Sequence, residues 1–178
     1  MPLSSLVRQL QAAALTSELL ERSRRRDRLL MRGAGRGCRA LVASAMAQRD
    51  KRPLLVVVPT LEEAGRWTAL LELMGWRTTH LYPTSEGSPY EPFDPTSEIV
   101  WGQLQVISDL IADPSQAGRA IVATERCLQP HLPPVEALSE RCRILRRGDQ
   151  VNLEELGENL ARLGYDRVSS IDQEGTWS

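Results

Sequence analysis

Hydrophobic and polar positions along the chain divide into helical and extended periods. Over residues 3–23 the apolar positions are Leu3, Leu6, Val7, Leu10, Ala14, Leu15, Leu19 and Leu20, the three-and-four spacing of one or two amphipathic helices. We expect these to lie across a sheet edge. The short apolar run Leu29-Leu30-Met31 predicts a first strand at about 28–32, and a helical pattern follows from Ala40 to Ala47. Leu54-Leu55-Val56-Val57-Val58 is continuously apolar, as expected of a parallel strand covered on both faces. Pro59 has no N–H to continue a ladder. Thr60-Leu61-Glu62-Glu63 has the form of a capping box, with the Thr60 hydroxyl on the Glu63 amide and the Glu63 carboxylate reaching back. The helix behind it predicts a buried stripe of Leu61, Ala64, Trp67, Leu71 and Met74, ended by Gly75 in a left-handed cap.

A third strand is expected at Thr78–Leu81. Tyr82 to Asp94 is a loop rich in proline and aromatic residues, of a length that is often functional in compact domains. Its rings and its carboxylates Glu86 and Glu91 suit either a partner surface or an ordered crossover. Asp94-Pro95 is a good helix start, and that helix is expected to bury Val100, Leu104, Ile107 and Ile111 before Asp113-Pro114 stops it. Ala120–Thr124 predicts a fourth strand. After Pro130, Pro133 and Pro134 come a short helix and a fifth strand at Arg143–Leu145. Strands alternating with helices as far as residue 147 define an α/β domain, a parallel sheet flanked by helices. The pattern changes after Gly148. Asn152-Leu153-Glu154-Glu155 opens a capped helix with Leu153, Leu156, Leu160 and Leu163 on one face, and Gly164 ends it. A strand at Tyr165–Ile171 and a hairpin turn at Glu174-Gly175 follow. The expected organisation is an α/β domain over 1–147 and the beginning of a smaller α+β subdomain over 148–178.

Composition narrows the function. The 178 residues carry a net charge of -1, which gives no global electrostatic case for nucleic acid or an acidic membrane. No apolar run approaches the ~20 residues of a membrane helix, and the N-terminus lacks the pattern of a signal peptide. The three cysteines, Cys38, Cys127 and Cys142, form no Cys-x-x-Cys pair, which argues for a reducing compartment, against zinc, and for the cytoplasm. Charge is uneven: Arg22 to Arg52 holds eleven basic residues against Asp27 and Asp50, and the balance reverses between Leu61 and Glu125. The basic segment reads first as a solvated helix end, with a phosphate or acidic-partner patch as the alternative.

The candidate chemistry centres on Met31 to Ala40. A strand, a glycine loop and a helix are where a nucleotide-binding sheet places its phosphate cradle. That cradle needs Gly-x-x-x-x-Gly-Lys-[Ser/Thr], with lysine for the β- and γ-phosphates and a hydroxyl for magnesium. Here Gly33, Gly35 and Gly37 are followed by Cys38 and Arg39, so both chemical residues are missing. Arg36 and Arg39 retain positive charge for weak anion binding, but a purely structural turn that keeps its glycines for backbone geometry is the plainer reading. Elsewhere His80 and His131 lack ligand spacing, and Gly87-Ser88-Pro89 is no nucleophile elbow. Glu62 and Glu63 are explained by capping, and Thr124-Glu125-Arg126-Cys127 does not supply an Asp-Glu box. The expectation is no catalytic residue, no metal and no cofactor.

Two stretches carry a resemblance. Val57-Val58-Pro59-Thr60-Leu61-Glu62-Glu63-Ala64 resembles the strand-to-helix segment after the P-loop strand in superfamily 2 helicase folds. Tyr82-Pro83-Thr84-Ser85-Glu86-Gly87-Ser88-Pro89-Tyr90-Glu91-Pro92-Phe93-Asp94-Pro95-Thr96-Ser97-Glu98-Ile99 resembles the N-terminal region of the bacterial transcription-repair coupling factors, the Mfd family, most of all its cyanobacterial members. The likeness continues through Ala120–Thr124 and Gly164-Tyr165-Asp166-Arg167-Val168 to Gly175, and so covers most of the chain. It implies a helicase-like, UvrB-like fold with a degenerate Walker A loop. It further implies a parent that is an ATP-dependent DNA translocase, which displaces stalled RNA polymerase and recruits excision repair through UvrA. ATP and magnesium belong to a motor elsewhere in such a parent, while the N-terminal region is a non-catalytic recruitment module held against the C-terminal end. Two departures stand out. Gln103-Leu104 occupies a place where the family often has Arg-Leu, and the family's partner-contacting arginine falls just after Gly175-Thr176-Trp177-Ser178. The resemblance therefore implies that residues 1–178 hold the scaffold and only an incomplete UvrA face, to which Tyr165, Arg167 and Trp177 lie nearest. The alternative is a nucleotide-binding UvrB-like or helicase fragment with ATPase-related activity, in which Arg39 replaces the lysine. A third reading is direct DNA binding by Arg22–Arg52.

Overall fold

A computed structural model describes residues 2–25, 28–84, 97–113, 115, 117–128, 134–171 and 175–178. Most of the loop expected at 82–94, the Asp94-Pro95 helix start, His131 and Glu174 lie outside them. The chain divides into two compact units, Met1–Pro130 and His131–Ser178; the boundary expected from the sequence lay between 147 and 148.

In the first unit, helices α1 (Leu3–Ala12) and α2 (Ala14–Arg24) meet at Ala13, whose extended backbone breaks the run. The Thr16 hydroxyl donates to the Leu10 carbonyl across the break at 2.6 Å. α1 packs on α3 (Arg36–Arg49), and its Val7 joins the core formed with the sheet. α3 presents Ala40, Ser44 and Ala45, residues small enough for close approach, and all three are buried. Strands β1 (Leu54–Val58), β2 (Thr78–Tyr82) and β3 (Arg119–Thr124) form a parallel sheet in the order β1-β3-β2. Val56 pairs with Val122, and His80 with Ile121. Helices α4 (Leu61–Glu72) and α5 (Ser97–Ala112) complete the unit. The core joins Val7, Ala40, Ala45, Val56, Val58, Ala64, Leu71, Met74, Trp76, Ala120 and Val122. Within it the Trp76 indole N–H donates to Ser44 Oγ at 3.0 Å, and Ser44 Oγ lies 3.4 Å from Met74 Sδ. A buried indole and hydroxyl thus satisfy each other, avoiding the roughly 1–3 kcal/mol cost of an orphaned polar group. At the far end of α5, Asp113 Oδ1 accepts from the Ser115 hydroxyl at 2.6 Å while its other oxygen faces Arg77. These two contacts hold its carboxyl down at about 2.

Several expected elements differ. No strand forms at 28–32: three apolar residues between arginines are too few to anchor a ladder, and Leu30 stays 73% exposed. Likewise 143–145 is irregular, with Ile144 53% and Leu145 48% exposed among Arg143, Arg146 and Arg147. β1 is buried on one face only: Val56 and Val58 point into the core, while Leu55 and Val57 on its other face remain exposed. α5 buries Val106 and Ile107 while Leu104 faces outward, a rotation of the expected stripe. α4 does bury Ala64, Leu71 and Met74, with Trp67 packed against them. Its box is half made: the Glu63 amide donates to Thr60 Oγ1 at 3.2 Å, but the Glu63 carboxylate turns to Arg36.

The second unit holds α6 (Val135–Ser139), α7 (Leu153–Arg162) and the two-residue strands β4 (Asp166–Arg167) and β5 (Thr176–Trp177). Asn152 caps α7 by accepting from the amides of Glu154 and Glu155 at 3.0 and 3.4 Å. Gly164, at φ +89°, ends the helix, and the Tyr165 amide returns to the Leu160 carbonyl at 3.0 Å. The expected hairpin is not one. β4 and β5 run parallel, with Asp166 opposite Thr176 and Arg167 opposite Trp177.

Candidate functional site

Two places carry the residues singled out in the sequence. At the first, α3 starts from Gly35 with no side-chain cap and no acidic residue in its first turn. Arg36 does not stand free for a phosphate. Its Nε and Nη2 donate to Glu63 Oε2 and Oε1 at 3.1 and 2.6 Å, a bidentate pair that ties α3 to α4. Arg66 adds a 3.4 Å contact to the same carboxylate. Cys38 and Arg39 are exposed. Of the three glycines only Gly33 has a left-handed backbone, at φ +70°, and a Cβ on any of them would meet nothing within 4 Å. The expectation that all three are kept for backbone geometry therefore reduces to Gly33. The loop is also no strand-to-helix turn, since no strand precedes it. Chemically it offers an uncapped helix end with one exposed arginine in its first turn, and neither lysine nor hydroxyl for a nucleotide.

The second place lies in the C-terminal unit. Beside α7, β4 and β5 lies a cavity of about 830 Å³, lined by Leu156, Leu160, Ile171, Arg167 and Trp177 among others. The register that sets Arg167 opposite Trp177 brings the Arg167 guanidinium to 5.2 Å from the indole centroid, a cation–π arrangement worth about 0.5–1 kcal/mol when exposed. The indole tip enters α7 at Gly157, where a Cβ would lie 2.6 Å from Cη2 of Trp177. Trp177 Nε1 is buried and finds no acceptor among the described residues. Glu154 and Glu158 supply carboxylates at the rim, and Glu158 pairs with Arg162 at 3.3 Å. Of the predicted residues, Arg167 and Trp177 thus come together. Tyr165 precedes β4, half-buried, and does not line the cavity. Gly157 was missed. Its one sequence signal was a glycine between leucines on an otherwise apolar helix face, without a visible reason to be there.

His80, expected to be structural, is buried between β2 and α5 with Nε2 3.4 Å from Asp109 Oδ2. Among the described residues, no group of His, Cys, Asp or Glu is placed to hold a metal ion, and no helix is long and apolar enough to cross a membrane.

The fold defines a class: an α/β protein with a parallel sheet flanked by helices, accompanied by a small unit bearing an aromatic–cation pair beside an apolar cavity. No protein-family model matches the chain. Curated relatives narrow the class. The chain is similar to the transcription-repair-coupling factor of Mycobacterium bovis, 28% identical over 183 aligned positions that cover 99% of this chain and 14% of that protein. It is also similar to the factor of Bacillus subtilis, 25% identical over 84% of the chain and 12% of the relative, and to that of Haemophilus influenzae, 23% identical over 80% and 12%. The resemblance to the N-terminal region of transcription-repair coupling factors is therefore supported along most of the sequence. The chain spans about 12–14% of the length of these relatives.

Proposed function

We propose that this chain is a non-catalytic module of a transcription-repair coupling factor that serves as scaffold and recruitment surface, while the ATP-driven motor lies elsewhere in the protein. The observation that carries the reading is the similarity to coupling factors over 80–99% of the chain. Two features of the glycine loop support it. Cys38-Arg39 stand where a phosphate cradle needs lysine and a hydroxyl, and Arg36 is committed to Glu63. The loop is on this reading a degenerate Walker A, the chain needs no cofactor, and its setting is the cytoplasm. The recruited partner is UvrA, for which the unit holding Tyr165, Arg167 and Trp177 supplies part of the face; RNA polymerase and DNA are engaged by other parts of the parent. The module is masked by the parent's C-terminal region.

The decisive experiment has two arms. Mg-ATP is titrated against thermal unfolding, where saturation at 100 times Kd would add about 2.7 kcal/mol of stability. No shift is expected; a clear shift would establish the rival, a nucleotide-binding UvrB-like or helicase fragment. In parallel, immobilised chain is tested for capture of purified UvrA. Capture lost on Arg167→Glu and retained on Arg39→Glu supports recruitment through the second unit, and no capture by the unmutated chain removes it.

A further inference from the structure

We propose that a basic patch at the ends of α2 and α3 grips the phosphate backbone of duplex DNA without reading its sequence. The inference goes beyond the scaffold reading, which leaves DNA to other parts of the parent, and does not depend on UvrA. The fold gathers the cations from two places in the chain. Arg24 Nη2, at the end of α2, donates to Asp50 Oδ1 at 2.7 Å, and Arg52 Nε reaches Asp50 Oδ2 at 2.8 Å. Arg49 Nη1 donates to the Gln11 carbonyl at 2.7 Å, beside the same turn. With Arg25 and Lys51 adjoining them in sequence, five exposed cations gather at one carboxylate. The bond from Arg24 holds the Asp50 carboxyl below its usual range, so it stays ionised and offsets one of those charges. Glu21, one turn back on α2, is the other acid that acts on Arg24. Five cations against Asp50 and Glu21 leave an excess of three positive charges.

Helix ends draw basic residues through the macrodipole, which accounts for a cation or two. Lys51 needs a different reason. α3 closes in a Schellman motif, the Arg52 amide returning to the Ala47 carbonyl at 2.9 Å and the Lys51 amide to Gln48 at 3.2 Å. That sets Lys51 at φ +53°, in the left-handed position that ordinarily belongs to glycine. At the other described left-handed positions, Gly75, Gly118 and Gly164 among them, the chain does use glycine. A lysine held against its backbone preference keeps an exposed ammonium among the arginines. The chemistry selects the partner. Guanidinium forks match phosphate oxygens two at a time. No aromatic residue lies within 21–25 or 49–53 to stack an unpaired base, which disfavours a single strand. Nor does an aliphatic one, so an acidic protein would lack the apolar anchors that protein interfaces use at their centre. A duplex backbone needs only the charge.

Fluorescence anisotropy of a labelled mixed-sequence duplex, titrated with the 178-residue chain over a range of salt concentrations, tests this. The expected Kd is on the order of 10⁻⁵ M at low salt, with a log–log salt slope of about −3 for three to four phosphates. Lys51→Gly is expected to melt no lower than the unmutated chain, because glycine suits φ +53°. It should nevertheless weaken binding roughly fivefold to tenfold at about 0.1 M salt and reduce the slope by about one. Arg25→Gln should act in the same way, whereas Arg39→Gln, near the opposite end of α3, should change neither quantity. Absent or salt-insensitive binding overturns the inference, as does full binding by Lys51→Gly. An equal loss with Arg39→Gln also overturns it, since binding would then follow total charge rather than the patch. Tighter binding of poly-glutamate than of the duplex overturns it too, and would make an acidic protein the partner. Failure of UvrA capture leaves every one of these outcomes unchanged.

Discussion

Two regions of this chain are marked by glycine and use it in opposite ways. In Gly33–Gly37, three glycines in five residues suggest a phosphate cradle. A methyl group on any of them would meet nothing within 4 Å, and only Gly33 has a backbone that resists a side chain. In α7, Gly157 stands alone, and a methyl there would press to 2.6 Å on the tip of Trp177. The first region is conspicuous in sequence and undemanding in space; the second is the reverse. Spacing along a chain advertises what a loop resembles, whereas the need for a glycine is set by whichever residue folds back onto it.

The largest test of that contrast is Gly157→Val. The added carbons overlap the indole, so Trp177 must leave its seat and with it the position over which Arg167 stacks. Overpacking of this kind costs about 1–3 kcal/mol. Hydrogen exchange across 153–167 should rise and UvrA capture should fall. Unchanged exchange would mean that the indole does not occupy the helix groove.

Gly33→Ala comes next. At φ +70° a Cβ costs roughly 1–2 kcal/mol per residue, with no new contact to offset it. The melting temperature should drop while UvrA capture at a temperature below the melt stays intact. If Gly33→Ala proved as mild as Gly35→Ala, the left-handed turn would have relaxed and the loop would hold no required geometry at all.

How much could be read in advance follows the same division. The Thr60 cap, the Asn152 cap and the Ala64–Leu71–Met74 stripe were legible because each is set by neighbours within one or two turns of chain, and β1, β2 and β3 because each is a five- or six-residue run rich in aliphatic and β-branched side chains. What failed depended on distant partners. Leu29–Met31 and Ile144–Leu145 have strand-like side chains, but a strand exists only where another accepts its hydrogen bonds. β1 was placed correctly and its coverage was not, because whether the second face of a strand is covered depends on elements distant in sequence, and Leu55 and Val57 stay exposed. At the candidate site Arg167 and Trp177 were identified, yet their contact depends on a parallel register that the expected hairpin would not give. The Glu63 carboxylate was assigned to its own helix end because the competing Arg36 belongs to another helix.

Gly37→Ala should act in the opposite sense. Gly37 lies inside α3 with open space around it, so alanine removes backbone freedom from the unfolded chain and meets no obstacle. A gain of roughly 0.5–1 kcal/mol is expected in denaturant unfolding. A loss would show that something approaches the backbone there, as a bound phosphate would.

The smallest effect separates two arginines of one helical turn. Arg36 is half-exposed and bridges to Glu63, so Arg36→Ala forfeits a pair worth at most about 1 kcal/mol at such exposure. Arg39 is exposed, and Arg39→Ala should change stability by no more than about 0.5 kcal/mol and leave UvrA capture intact. The sensitive comparison is made in inorganic phosphate. If phosphate raises the melting temperature of the parent and of Arg36→Ala but not of Arg39→Ala, the loop still holds an anion through Arg39 and its helix end. If phosphate treats all three alike, the positive charge at Arg39 serves no bound group, and of the glycines in these two regions only Gly157 and Gly33 are required as glycine.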